Sequence, residues 1–185
     1  MSKPSVICPL CALDEYLTLE ALLDDQWLIT CTSPSHREWS WIASPEDPTG
    51  AIAEGLAAEL GLFEKLTPLI DEDAYDEYGI VEYRFGIAHP QDYAFLLATY
   101  GHRAERIGRP HTLSAFLAGV LGRMGKAGEV TQGGSTATGY WSYLGEVSYW
   151  TRAISPSRSL PHKTWVEFAT AEGIDPTTWP LVSPA

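Results

Sequence analysis

The 185-residue chain is 45% hydrophobic and 19% charged, with 24 acidic against 12 basic side chains and a formal net charge of -12. Seven Trp, nine Tyr and five Phe supply enough apolar surface to offset the entropy of ordering, which argues against a disordered chain, and the length suits one ordinary domain or two small ones. The net charge speaks against nonspecific attraction of the whole chain to nucleic acid or to anionic membrane. The total hides a division. Residues 1–88 hold 4 basic and 17 acidic side chains, net -13, whereas 89–185 hold 8 and 7, net +1; all 8 bases of that half fall within 101–163, where only 3 acids make the stretch locally +5. No run approaches the roughly 20 apolar residues of a spanning helix. Met1-Ser2-Lys3-Pro4 leads into a cysteine motif rather than a hydrophobic signal region, so a cytoplasmic protein with no membrane partner is expected.

Three cysteines within the first 31 residues make a poor disulfide framework and a good metal-ligand count. Cys8-Pro9-Leu10-Cys11 can place two thiolates on one ion from a tight turn, and Cys31 with His36, in a Cys-x4-His arrangement, can complete a tetrahedron from a neighbouring turn. Between these pairs, Tyr16–Leu19 and Gln26–Thr30 read as strands about an Asp24-Asp25 turn, and Glu38–Ile42 reads as a third. Knuckle, strand, turn, strand, knuckle, strand is an order that resembles the zinc-ribbon family, over residues 5–43. The resemblance implies a structural Zn2+ on Cys8, Cys11, Cys31 and His36. With all four positions taken, no site stays open for water, and the metal contributes folding energy rather than catalysis. The other reading of these residues is buried thiols beside a surface histidine.

Ser44–Gly50 is a turn-rich linker, so the expected division is a ribbon-like segment 1–45, a domain 49–158 and a C-terminal helix with docked tail 159–185. Ile52, Leu56 and Leu60 place a helix over 51–60, and Phe63–Ile70 reads as another short one. Asp71-Glu72-Asp73-Ala74-Tyr75-Asp76-Glu77 lacks the central glycine and distal Glu of a calcium loop and is expected to be a solvated acidic loop. Ile80–Phe85 alternates as a strand, and Pro90 opens a helix to about Tyr100. A basic turn, 101–110, follows. Leu113, Leu117, Val120, Leu121 and Met124 mark the next helix, to about Gly125. Its other face, Ser114, Ala115, Ala118, Gly119, Gly122, Arg123 and Lys126, is small enough for something to approach the backbone. Strands are expected at Glu129–Gln132, Tyr140–Tyr143 and Val147–Thr151 around a glycine-rich loop 133–139. A helix Lys163–Glu172 follows, with Trp165, Phe168 and Ala169 inward, and then a tail docked by Trp179. Helix, strand, helix, turn, helix and hairpin is an order similar to that of the winged-helix family, over 51–152. The expected class is α+β: a small β zinc ribbon joined to a winged-helix domain with a C-terminal helix.

The second resemblance implies binding of double-stranded DNA, with the third helix in a major groove and the hairpin and preceding turn on phosphates. The residues so placed are Arg103, Arg106, Arg109 and His111 in the turn, Ser114, Arg123 and Lys126 on the helix, Ser135, Thr136 and Thr138 at the wing, and Arg152 and Arg158 beyond it. Trp141 and Trp150 are candidates for stacking on an unpaired or flipped base if a ring is exposed, although alternation in a hairpin sends such rings into the core. No phosphate-binding nucleotide loop, nucleophile elbow or His-Glu metal helix occurs, so no enzyme is expected; His89, Asp92, His102 and His111 read as surface or capping groups. The expected role is a transcriptional regulator or the recognition part of a DNA-processing system. The competing role is an acidic adaptor or DNA mimic, whose acidic N-terminal half meets a basic protein partner.

Overall fold

A computed structural model describes residues 6, 8, 13–22, 26–35, 38–43, 56–102, 112–153 and 160–181. The elements in chain order are β1 (Leu17–Ala21), β2 (Trp27–Cys31), β3 (Trp39–Ala43), α1 (Leu62–Leu66) with a 3-10 turn at Thr67–Leu69, β4 (Tyr75–Glu77), α2 (Tyr78–Ala88), α3 (Pro90–Tyr100), α4 (Leu113–Ala127), β5 (Thr131–Thr136), a second 3-10 turn at Gly139–Leu144, β6 (Glu146–Thr151), β7 (His162–Lys163) and α5 (Trp165–Ala171). The fold class is α+β. The chain divides into two compact units, residues 1–60 with 96–116, and residues 61–95 with 117–185.

In the first unit β1, β2 and β3 form an antiparallel sheet in sequence order, each within two residues of its expected place. Thr, Ser and apolar residues alternate along these strands, so one face can be buried while the other carries hydroxyls. Ile29 and Cys31 of β2 are buried, while Thr30 Oγ1 and Ser40 Oγ share a hydrogen bond of 2.8 Å between neighbouring strands. Leu22 N–H donates to Gln26 O (2.8 Å) and closes the β1–β2 turn. The same unit holds Leu96–Tyr100 and Leu113–Phe116, where the rings of Tyr100 and Phe116 stack with centroids 5.3 Å apart. The linker Ser44–Gly50 and residues 51–55 of the expected first helix lie outside the described residues; Leu56 and Ala57 are helical and buried.

The second unit holds a four-stranded sheet of order β5-β6-β4-β7, in which β4 is antiparallel to β6 and parallel to β7. Two expectations are corrected here. Ile80–Phe85 is not a strand but the middle of α2. This helix buries Tyr78, Gly79, Ile80, Val81, Glu82, Phe85 and Gly86, and burial on nearly every side erases the polar face by which a helix is distinguished from a strand in sequence. Gly79 is where α2 meets the 3-10 turn: a Cβ there would collide with the Trp141 indole.

The acidic run is likewise not one solvated loop. Asp71, Glu72 and Asp73 are at least partly exposed, but Asp76 and Glu77 form most of β4 and are fully buried. The Glu77 carboxylate accepts hydrogen bonds from Thr138 N (2.8 Å), Thr138 Oγ1 (2.7 Å), Tyr149 OH (3.2 Å) and Trp165 N (2.7 Å). One side chain thus joins β4, the segment after β5, strand β6 and the first residue of α5. A second carboxylate, Glu82, accepts from Tyr78 OH (2.6 Å) and Tyr93 OH (3.3 Å), and Tyr93 OH in turn accepts from Trp179 Nε1 (2.8 Å). Trp179 docks the tail as expected, with its ring centroid 5.2 Å from those of both Trp141 and Trp165. Trp165, Phe168 and Ala169 face inward, and Thr164 opens α5 with a capping box closed by Glu167.

Removing the charge at Glu77 leaves its four donors facing a weaker, half-mismatched acceptor. Glu77→Gln is expected to lower unfolding stability by about 3 kcal/mol or more. Glu72→Gln, in the same acidic run but in an exposed pair with Arg152, should change it by under about 0.5 kcal/mol. Urea unfolding of the two variants makes the comparison, and equal effects would contradict the assignment of Glu77 as the buried junction.

Candidate nucleic-acid interface and metal centre

Two of the four expected zinc ligands, Cys11 and His36, lie outside the described residues, and among the described residues no three Cys, His, Asp or Glu side chains form a metal-binding group. The other two can be placed. Cys8 and Cys31 are both fully buried in the first unit. Cys8 N–H donates to Leu13 O (2.9 Å), and Cys31 ends β2 opposite Leu17 on one side and Trp39 on the other. The loop after Cys31 is internally ordered: Ser33 is buried, its Oγ lies 2.9 Å from Ser35 Oγ, and Thr32 N–H donates to Tyr16 O (3.1 Å). Cys8 lies close enough to Tyr100 that, after burial, it is the next cause raising that phenol above its ordinary pKa. Both sulfurs are shielded from water, and a thiolate is the donor type that a soft divalent ion takes.

Of the twelve expected DNA contacts, Arg103, Arg106, Arg109, His111 and Arg158 fall outside the described residues. Three others are engaged within the protein. Thr138 spends its hydroxyl proton on Glu77 while its Oγ1 accepts from Val166 N (3.2 Å); Arg152 pairs with Glu72 (2.8 Å); Ser114 Oγ donates to His102 O (3.0 Å). These bonds compete directly with any phosphate, because each donor would have to leave a partner. Arg123 is half-buried and Lys126 exposed on α4; Ser135 is half-buried and Thr136 exposed on β5.

The α4 surface is the part of the expected interface best described. Ala115, Gly119, Lys126 and Ala127 are exposed, a Cβ at Gly122 would meet nothing within 4 Å, and one at Gly119 would meet only Arg123 Nη1, at 3.8 Å. Neither glycine is needed for internal packing. Together they leave a low strip of backbone on a 15-residue helix that ends in Lys126 and Ala127.

Both base-stacking candidates are corrected. Trp141 is fully buried and Trp150 nearly so, against Gly79 and Gly125 respectively, so neither ring has a free face for a base. The exposed aromatic of this region is Tyr143, 52% accessible, next to Leu144 at 49%. The expected strand 140–143 and loop 133–139 exchange roles: Gly133 to Thr136 are in β5, and Tyr140 to Tyr143 are in the 3-10 turn. A signal for this was present in the two glycines bracketing the turn, Gly139 (φ 52°) and Gly145 (φ 75°), both in the left-handed region that glycine adopts without strain.

Comparison with protein-family models, with curated proteins and with solved structures finds no match to this chain. No helix among the described residues is long and apolar enough to cross a membrane.

The buried Asp76 gives the second unit a pH signature. Burial raises its pKa above 3.8, opposed by the Arg84 guanidinium 2.6 Å away. The folded state therefore holds a proton that the unfolded chain has lost, and stability falls as pH rises from the unfolded value through the elevated folded one. Asp76→Asn removes that proton equilibrium. The unfolding free energy of wild type minus that of the variant is expected to fall as pH rises through this window in urea titrations; a rise would contradict the burial assigned to Asp76.

Proposed function

We propose that the chain is a DNA-binding protein, not an enzyme, in which a zinc ribbon held by Cys8, Cys11, Cys31 and His36 accompanies a winged-helix unit that lays α4 on double-stranded DNA. The observation that carries this reading is the open backbone strip at Gly119 and Gly122 beside Arg123 and Lys126. Glycine costs about 1 kcal/mol relative to alanine in a helix interior, and here no packing requirement offsets that cost, whereas a duplex pressed against the helix would. The strand pairing supports the same reading: β4, which precedes the helices, pairs with β6 of the hairpin that follows them, fixing the hairpin to the helical layer. The unit departs from the simplest pattern in having three helices, α2, α3 and α4, between β4 and β5. The bound zinc would supply folding free energy to a segment too small for a large core of its own.

Mobility shift with mixed duplex DNA tests the interface. Six phosphate contacts would lower affinity about a thousandfold between 50 and 200 mM salt. Lys126→Ala, and Arg106→Ala with Arg109→Ala, should weaken binding across all sequences and flatten the salt slope by about one for each phosphate no longer neutralised. Gly122→Leu should fold as stably as wild type, or up to about 1 kcal/mol more so, yet bind at least about tenfold more weakly because the side chain stands where a base edge or phosphate must come. No retardation at low salt would sink this reading and favour a basic protein partner, for which the exposed Glu129 and Glu146 at the ends of the hairpin are the favouring observation. Metal analysis tests the ribbon separately: about one equivalent of zinc is expected, and Cys31→Ser should lose both the metal and the first unit's fold.

A further inference from the structure

An open groove of about 580 Å³ lies between the C-terminal halves of α2 and α5, within the second unit, and none of the residues assigned to DNA or zinc lines it. Its volume is that of a small-molecule site, for which about 300–1,000 Å³ is usual. The apolar lining comes from Leu69, Tyr83, Ile87, Ala88, Phe168 and Ala171. Phe168 is buried, whereas Ile87 is 58% accessible and Ala171 is exposed. Apolar surface left to water in a concave place favours an apolar body laid against it.

Four charged side chains complete the lining, and two of them are committed within the protein. Arg84 Nη1 donates to Asp76 Oδ2 (2.6 Å) and to Leu69 O (2.7 Å), and Glu167 Oε2 accepts from Thr164 N and Thr164 Oγ1, both at 2.9 Å. The other two are not. Among the described residues, neither the Lys163 ammonium nor the Glu172 carboxylate makes a hydrogen bond or an ion pair. Lys163 Nζ lies instead 5.7 Å from the centroid of the Phe168 ring, and Arg84 Cζ lies 5.5 Å from the same centroid. Glu172 caps the C-terminus of α5, whose last turn has no basic residue, so its carboxylate adds to the partial negative charge of that helix end and calls for a cation there. Phe168 and Glu172 stand one turn apart on one side of α5, about 6 Å along its axis. The groove is therefore polarised, cationic beside Phe168 and anionic one turn further on.

We propose that this groove binds a small zwitterion with an apolar body whose two charges stand two residues apart, a dipeptide of apolar residues. The dipeptide's carboxylate meets the Lys163 ammonium and its ammonium meets the Glu172 carboxylate, so each end answers a charge that has no partner among the described residues. Length selects a dipeptide. Two extended residues span up to about 7 Å, which matches the separation along α5, whereas a free amino acid carries both charges on one carbon and reaches only one end. The side chains of the dipeptide cover the exposed carbon of Ile87 and Ala171.

Titration of the isotopically labelled full chain with leucylleucine, followed by NMR, tests this. Saturable shifts centred on Lys163, Phe168 and Glu172 are expected, with a Kd below about 1 mM. Acetylating the dipeptide's amine, or amidating its carboxylate, removes one charge and should weaken binding about fivefold in each case, and leucine should bind no better than these capped forms. Lys163→Gln and Glu172→Gln should each lose a similar factor with unchanged circular dichroism, since neither charge has an internal partner to lose. Ala171→Phe, at an exposed position, should fill the groove and abolish binding. No saturable shift, shifts centred elsewhere, equal binding of capped and uncapped dipeptide, or affinity unmoved by Lys163→Gln and Glu172→Gln overturns the proposal.

Discussion

The second unit depends on one buried carboxylate. Glu77 stands in the shortest of the three strands of the sheet that span more than two residues, and it receives hydrogen bonds from residues 61, 72 and 88 positions further along the chain. An ionised side chain taken out of water is costly unless every lone pair is met. Here two backbone N–H groups and two hydroxyls meet them, and they come from the segment after β5, from β6 and from the start of α5. The requirement runs both ways. The N–H groups of Thr138 and Trp165 would be orphaned without the carboxylate, and the carboxylate would be expelled without them. Hairpin, strand and terminal helix therefore assemble around Glu77 together, with α2 following directly from it in the chain.

This arrangement changes what the charge of the chain means. A front half of net -13 describes the sequence, but Asp76, Glu77 and Glu82 are buried, and each is met by donors of the protein rather than by solvent. Asp76 is answered by Arg84, which also donates to Leu69 O (2.7 Å). Lys65 is paired with Asp92 at 2.6 Å, and Arg152 with Glu72. Several cations and anions that a count would assign to a partner are thus already neutralised inside the unit. What remains outward on α4 is small, with Lys126 as its exposed cation.

The legibility of the sequence followed the sharpness of its periodicity. The strands of the first unit, α3 and α4 were all evident, because one face of each is apolar and the other polar. The element least visible was α2, which has polar residues but no polar face, since Tyr78, Tyr93, Asp76 and Leu69 O turn the positions of Glu82 and Arg84 into interior ones. Asp76 and Glu77 misled for the same reason: residue type reports solvation only on average, and a long-range donor set cannot be seen locally. Among the candidate site residues, Lys126 was found because the helical period exposes it. Thr138 and Arg152 were taken as surface donors because their internal partners, Glu77 and Glu72, are 61 and 80 residues away.

Glycine serves opposite purposes at different places in the second unit. At Gly79 and Gly139 it admits the Trp141 indole and the Pro176 carbonyl, and any side chain there would have to displace the core. At Gly122 and Gly134 nothing inside the molecule requires it. Gly122 is half-buried on a helix face and Gly134 exposed on an outer strand, and a glycine that satisfies no internal constraint forfeits stability in either setting.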